Sequence, residues 1–414
     1  MFRSLKEASK EETAGLFVLL SNRNYALLWT AQLISQVGDR FHFVAISLWI
    51  YAVTGSAIAV SIGMTMAIAG TLVVGLVAGA LVDRWDRRKT LVGADLVRAG
   101  LVAILPVLFD VSIVLVYVDL FLMSLASTFF RPARHAVVPQ IVERHHLLPA
   151  NSFFATVEQG SEVVGPVIAG LLIVRLGYAG ALYVDALSYL MSALLIAGTV
   201  LPDGSRAEAT VADTSSVWQD ARDGFQYLWS DGVQRSLFVM LFLGNWVAGL
   251  TSLQTPLAKG VLRISDDQFG VFNSVWGMGF ILSSLFIGWY GRGIPKAWLI
   301  IGGYVGWIGG TAFMGVSPSY HTLLASGFVV GFANIMWVIA VATVLMERTP
   351  KVLLGRVIAT RQVGLGIVRS GALLAFGVLA DVVGVREAIV AMASLSMLLV
   401  SVGVWRMPVL RQVD

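Results

Sequence analysis

Six carboxylates lie inside stretches that otherwise read as apolar: Asp39, Asp95, Asp119, Glu158, Glu162 and Asp185. A charge at the centre of a membrane helix costs about 2.5–3.5 kcal/mol even on a lenient insertion scale, so each needs a reason to be kept. A carboxyl held away from water can take up and release a proton near neutrality, which is the chemistry of proton coupling. Asp39 is about fourteen residues into the first stretch, roughly 21 Å along a helix axis and near mid-depth. Glu158 and Glu162, four residues apart, share one helix face, where two carboxylates resist ionising together. Each has a plainer alternative: a structural salt bridge for Asp39, a headgroup-facing position for the glutamate pair. Asp95 and Asp185 lie nearer the ends of their stretches and read as structural.

Four arginines occupy the same kind of stretch. Guanidinium stays protonated, so Arg98, Arg361 and Arg369 read as counter-charges or anion contacts, not proton carriers. Arg40 points about 100° away from Asp39 on a helix, so those two need different partners. His42 is either a titrating group or a helix–helix hydrogen bonder. The six carboxylates all fall in the first half; Glu347, at a helix end, is the exception in the second. This asymmetry places protonation in the N-terminal half.

The elements that must hold these groups are transmembrane helices. The 414-residue chain is 57% hydrophobic and 13% charged, with a mean hydropathy of +0.80. No soluble core hides that much apolar surface, whereas a bilayer does. Apolar runs predict helices near 25–52, 56–81, 90–109, 112–131, 152–175 and 179–201, then 236–258, 269–291, 296–316, 320–346, 355–380 and 385–406. The implied organisation is an N-terminal cytoplasmic or interfacial segment (1–24), a six-helix bundle (25–201), a cytoplasmic linker (202–235) with an interfacial helix near 216–230, a second bundle (236–406) and a tail (407–414). Of the 29 Lys and Arg, Lys259, Arg263, Arg175 and Arg386 fall outside and the four intramembrane arginines within spans. The remainder gather on the side of both termini, which the positive-inside rule makes cytoplasmic, in a cell inner or plasma membrane.

A glycine pattern at helix ends recurs at Gly79, Gly170, Gly288 and Gly377, roughly 90 to 120 residues apart. Three spans per unit and four units give an all-α protein of twelve spans in two six-helix bundles, an architecture of secondary transporters. The loop Gly79-Ala-Leu-Val-Asp83-Arg84-Trp85-Asp86-Arg87-Arg88-Lys89 resembles the G-x-L-A-D-R-x-G-R-[RK] signature of the major facilitator superfamily, with Asp86 where glycine is usual. Gly165-Pro166-Val-Ile-Ala-Gly170 is similar to the G-P-x-x-G-G element of its drug:proton antiporter branch. Gln36-Val-Gly38-Asp39-Arg40 and Phe130-Arg-Pro132-Ala-Arg134 resemble the macrolide-efflux and siderophore-exporter subfamily.

The resemblance implies that Gly79, Asp83, Arg84, Arg87 and Arg88 form a conformational switch, with Asp83 against the positive N-terminus of the eleventh helix near Gly355. The basic residues also serve as a topology signal. Pro166 bends the fifth helix, and Gly165 and Gly170 permit close crossing. Because helices 4, 7 and 10 line the cavity in this family, Asp119 becomes a proton-coupling candidate. Asn245, Trp246, Asn334 and Trp337 become a substrate surface suited to a bulky, apolar, cationic compound. Trp276 and Trp307 read as packing.

The expected function is a proton-driven antiporter exporting an amphipathic small molecule, acting as a monomer. The alternatives are an exporter or flippase of a metabolite, siderophore or lysolipid, and a non-transporting receptor or scaffold. With no phosphate-binding Gly-Lys-Ser/Thr loop, no metal-spaced histidines and no cysteine, enzymatic activity and a bound cofactor are not expected; an ion gradient is the energy source. A net charge of +4 is a matter of membrane topology here, not of nucleic-acid binding.

Overall fold

The computed structural model describes residues 19–200, 222, 225–230 and 232–406. Most of the expected segments 1–24 and 202–235, and all of 407–414, lie outside the described residues. Hydrocarbon offers backbone groups no hydrogen-bond partners, so each apolar stretch satisfies its own as a helix. No strand occurs among the described residues. The helices are α1 (Arg23–Thr54), α2 (Ala57–Arg84), α3 (Arg87–Phe109) and α4 (Ile113–Ile141). The stretch Leu147–Ala197 is broken at Gly177 into α5 (147–176) and α6 (178–197). Six more follow: α7 (Gly232–Ala248), α8 (Asp266–Tyr290), α9 (Lys296–Val316), α10 (Tyr320–Arg348), α11 (Lys351–Val383) and α12 (Val385–Arg406).

Among the described residues, ten stretches are long and apolar enough to cross a bilayer. The one from Arg144 to Ala197 holds both α5 and α6, and α1, with Asp39 and Arg40 in its middle, completes the twelve. Polar side chains start several of the helices. Asn22, Ser56, Asp86 and Ser112 accept from the first turns of α1 to α4, and Ser265 and Ser319 form capping boxes on α8 and α10. Such caps satisfy orphan N–H groups where the chain leaves the membrane.

Two boundaries depart from expectation. α4 continues past residue 131 through Pro132 and Pro139 to Ile141. Its extension is held by buried Arg134, which donates to Gln32 Oε1 at 2.7 Å and Glu158 Oε1 at 3.1 Å. α7 stops being regular at Ala248, tightens over Gly249–Leu253 and widens over Pro256–Val261. The described part of the linker, 225–230, is helical. It docks on the second bundle: Leu228 is buried with Phe238, Leu345 and Val357, and Tyr227 Oη donates to the Arg348 carbonyl at 2.9 Å.

The first six helices pack as one bundle and the last six as another, joined along two seams, α5 on α8 and α2 on α11. The α5–α8 seam needs missing side chains. A Cβ on Gly170 would lie 2.9 Å from the Asp266 carbonyl oxygen, and one on Gly270 would lie 3.2 Å from the Gly170 Cα. With twelve spans, the start of α1 at Arg23, the end of α12 at Arg406 and the described linker helix share one face, the terminal face; the other is the distal face. The bundles are pinned at the distal face. Asp381, at the end of α11, accepts from Ser56 Oγ at 2.5 Å and from the backbone N–H groups of Ala57 and Ile58 at 2.7 and 3.3 Å. A carboxylate thus sits on the positive N-terminus of α2. Tyr178 Oη also donates to Asp266 Oδ2 at 3.4 Å.

Candidate functional site

Inside the first bundle the charges form two linked groups. One is buried between α1, α3 and α6. Arg98 pairs with Asp95, one helical turn away, and lies 4.5 Å over the rings of both Phe130 and Tyr189. Ser192 Oγ donates to Asp95 Oδ2 at 2.6 Å. Tyr189 Oη donates to Asp39. Asp185 is wholly buried, accepts from Ser188 Oγ at 3.2 Å and has His42 Nδ1 at 3.8 Å. Asp95 and Asp185 are therefore not helix-end groups but part of the same polar core as Asp39.

The second group lines a polar cavity of about 350 Å³ walled by α1, α4 and α5, with Gln32, Ser35, Asp39, Arg98 and Gln159 among its lining. Glu158 is held by Arg134 at 3.1 Å and Arg131 at 3.3 Å, and Glu162 by Arg40 at 3.0 Å. The two glutamates share a helix face as expected, yet each has its own arginine partners. Gly165 is what lets Arg40 reach across, since a Cβ there would collide with the Arg40 side chain. Pro166 and Gly170 continue the same face onto α8. The antiporter-like element of α5 therefore serves two contacts, the Arg40 ion pair and the seam.

A central cavity of about 410 Å³ lies between the bundles. Arg40 and Glu162 line it from one side. Gln254, Asn273, Trp276, Trp307, Asn334 and Arg369 line it from the other. Asn334 lines this cavity, and the tryptophans that line it are Trp276 and Trp307 and not Trp246 and Trp337. Trp337 is buried in a cluster with Tyr304 and Trp307, 4.6 and 5.5 Å away, and does not line the cavity. Trp246 packs edge-on against Phe376 at 5.2 Å, and Asn245 Nδ2 turns back to the Leu241 carbonyl at 3.1 Å. Trp307, on the cavity side of this cluster, and Trp276, beside the seam, line the cavity instead.

Other candidates are dispersed. Asp119 is buried, its Oδ2 has no hydrogen bond, and it lines neither cavity. Arg361 has its Nε buried without a partner. A Cβ on Gly79 would meet nothing within 4 Å, so at the terminal face α2 has no close neighbour at that point. The side chain of Asp83 and those around Gly355 lie outside the described residues. Arg84 is exposed, Arg87 has its Nε buried without a partner, and Arg88 donates to the Ala197 carbonyl, tying α3 to the end of α6. That bond is within one bundle. The missed residues had a sequence signal: Asp185, Ser188, Tyr189 and Ser192 form one polar stripe at helical spacing.

Two helical bundles that meet along glycine-lined seams and enclose charged and aromatic cavities at mid-depth define a multi-pass membrane transport protein, not an enzyme. The sequence profile of the Major Facilitator Superfamily matches residues 28–290, and the chain belongs to that superfamily. It is similar to macrolide efflux protein A of Streptococcus pyogenes, at 24% identity over 313 residues and 73% of each chain. It is also similar to the multidrug efflux pump Tap of Mycolicibacterium fortuitum, at 32% identity over 274 residues, 63% of this chain and 64% of that one. Its fold matches the nucleoside transporter NupG with a TM-score of 0.73 at 11% identity, over 91% of this chain and 98% of that one.

Proposed function

We propose that the protein is a proton-coupled antiporter that exports amphipathic, drug-like small molecules by alternating access, with the terminal face in the cytoplasm. The observation that carries this reading is the Arg40–Glu162 pair, which belongs at once to the polar cavity and to the central cavity. A carboxylate in that position can respond both to a proton arriving through one space and to a substrate occupying the other. Protonating Glu162 removes the attraction that holds Arg40 beside α5. Arg40 is then free to move, and the seam that starts at Gly165 and Pro166 is released on one side. Substrate and proton exclude each other there, which is the condition for exchange. The likeness to efflux pumps supports export, and the lysine and arginine distribution supports the orientation. Asp39, bonded to Tyr189, is the second carboxylate open to the polar cavity; Glu158 is held by two arginines and serves as structure. The protein acts as a monomer, because both cavities are completed within one chain.

The test uses purified protein in liposomes with an imposed pH gradient and two probes, ethidium as an amphipathic cation and 11-(dansylamino)undecanoate as an amphipathic anion. Wild type accumulates probe against its gradient, and probe addition moves protons the opposite way. Glu162→Gln keeps probe-for-probe exchange and loses gradient-driven accumulation. Accumulation that ignores the pH gradient in wild type sinks the coupling.

A further inference from the structure

Arg369 of α11 is the one group in the central cavity whose charge the rest of the site leaves uncompensated. Its side chain is exposed, yet what it opens onto is the space between the bundles, because it lines cavities on two sides. Among the described residues, no carboxylate oxygen lies within 4.0 Å of its guanidinium. The nearest acidic influence is Glu162, which is already paired with Arg40 at 3.0 Å. The cavity thus holds Arg40, Glu162 and Arg369, one positive charge in excess. An uncompensated cation at mid-depth in a membrane is costly to keep, and a built-in cation without a partner is a binding site for an anion.

The second cavity gives the rest of the ligand its shape. It is a space of about 390 Å³ between α1, α2, α4 and α11, with Arg40, His42, Ser47 and Arg369 at its polar places. Its other lining is apolar and includes Ile46, Ile50, Val60, Met64, Ile68 and Leu120. Arg369 therefore stands where an apolar chamber meets a chamber of tryptophans and amides. We infer that the substrate is an amphipathic anion, with a carboxylate or phosphate head on Arg369 and an apolar body in the chamber beside α2 and α4. This rests on the transport reading, and it replaces the expectation of a cationic compound. Arg369 is then a specificity residue. The guanidinium fork takes two anion oxygens side by side, which a lysine would do less well.

The test is equilibrium binding in detergent, with no gradient, of three fluorescent probes that differ only at the head: 11-(dansylamino)undecanoate, its primary amide and its trimethylammonium analogue. Wild type is expected to bind the acid at least tenfold more tightly than the amide and to bind the cation least. Arg369→Gln brings acid and amide to the same affinity while amide binding is kept, and Arg369→Lys retains part of the preference. Lysophosphatidic acid displaces the acid if a lipid phosphate is accepted as the head, and fails to if the site takes free carboxylates alone; either result identifies the source of the head group. Equal binding of acid and amide by wild type, or an acid preference that survives Arg369→Gln, overturns the inference. Because these readouts need no proton gradient, failure of coupled transport in liposomes would sink the antiport reading and leave this result standing.

Discussion

The two bundles solve the problem of a polar interior in opposite ways. The first threads charge through its core: Asp39, Asp95, Asp185, Arg98 and Tyr189 lie within one network, and Glu158, Glu162, Arg40 and Arg134 line the cavity next to it. The second has an aromatic wall, a cluster of Tyr304, Trp337 and Trp307, with Tyr304 Oη donating to the Met240 carbonyl. Ion pairs in low dielectric have alternative partners and change with protonation; stacked rings do neither. The comparison teaches that one bundle is built to change state, and the other to present a fixed surface on which Arg369 is the charge lining the central cavity.

Breaking that contrast should have its largest effect at Arg98. Asp95→Ala leaves a buried guanidinium without its carboxylate, which should lower stability by about 3–5 kcal/mol. Thermal unfolding in detergent reads this, and a wild-type melting temperature would show that Asp39 takes over the pairing. Trp337→Ala should cost a similar amount, about 3–5 kcal/mol, because removing a buried ring leaves a hole. Trp307→Ala, at a ring buried just as deeply, should cost about as much stability and also weaken probe binding by about 0.5–1.5 kcal/mol, the value of one ring contact. If Trp337→Ala weakens probe binding as much as Trp307→Ala, the division between wall and surface fails. The smallest effect is expected at the distal pin. Asp381→Asn removes a carboxylate from a helix N-terminus, worth about 0.3–1 kcal/mol, and should shift the population toward distal opening severalfold at most. Spin labels on Val53→Cys and Val382→Cys, both exposed in a chain with no native cysteine, report that distance. Unchanged distance distributions would mean that the α5–α8 seam alone holds the face shut.

Much of this fold was legible, because hydropathy and glycine spacing report membrane crossings directly. The twelve spans, the two halves and the intramembrane charges follow from residue type. Which group meets which does not. The far end of α4, with Arg131, Pro132, Arg134, His135 and Pro139, reads as a loop by composition, and only the Arg134 partners explain why the helix runs on past Pro132. Trp246 and Trp276 each sit in a span at similar depth; the rotation of a helix about its axis decides which one faces the cavity, and that rotation is set by neighbours. Asp185 was readable in principle, through its stripe with Ser188, Tyr189 and Ser192, but position near a helix end made it look peripheral. Arg369 stood out by its charge, and its lack of a partner is a property of three dimensions.

The break between α5 and α6 is a single residue, Gly177, with φ 71° and ψ 178°, a conformation open in practice to glycine alone. A connection that short stores no slack. It joins directly the helix that bears on α8 to the helix that carries Asp185 and Tyr189, so the seam between the bundles and the buried charges of the first bundle lie on consecutive helices with one residue between them.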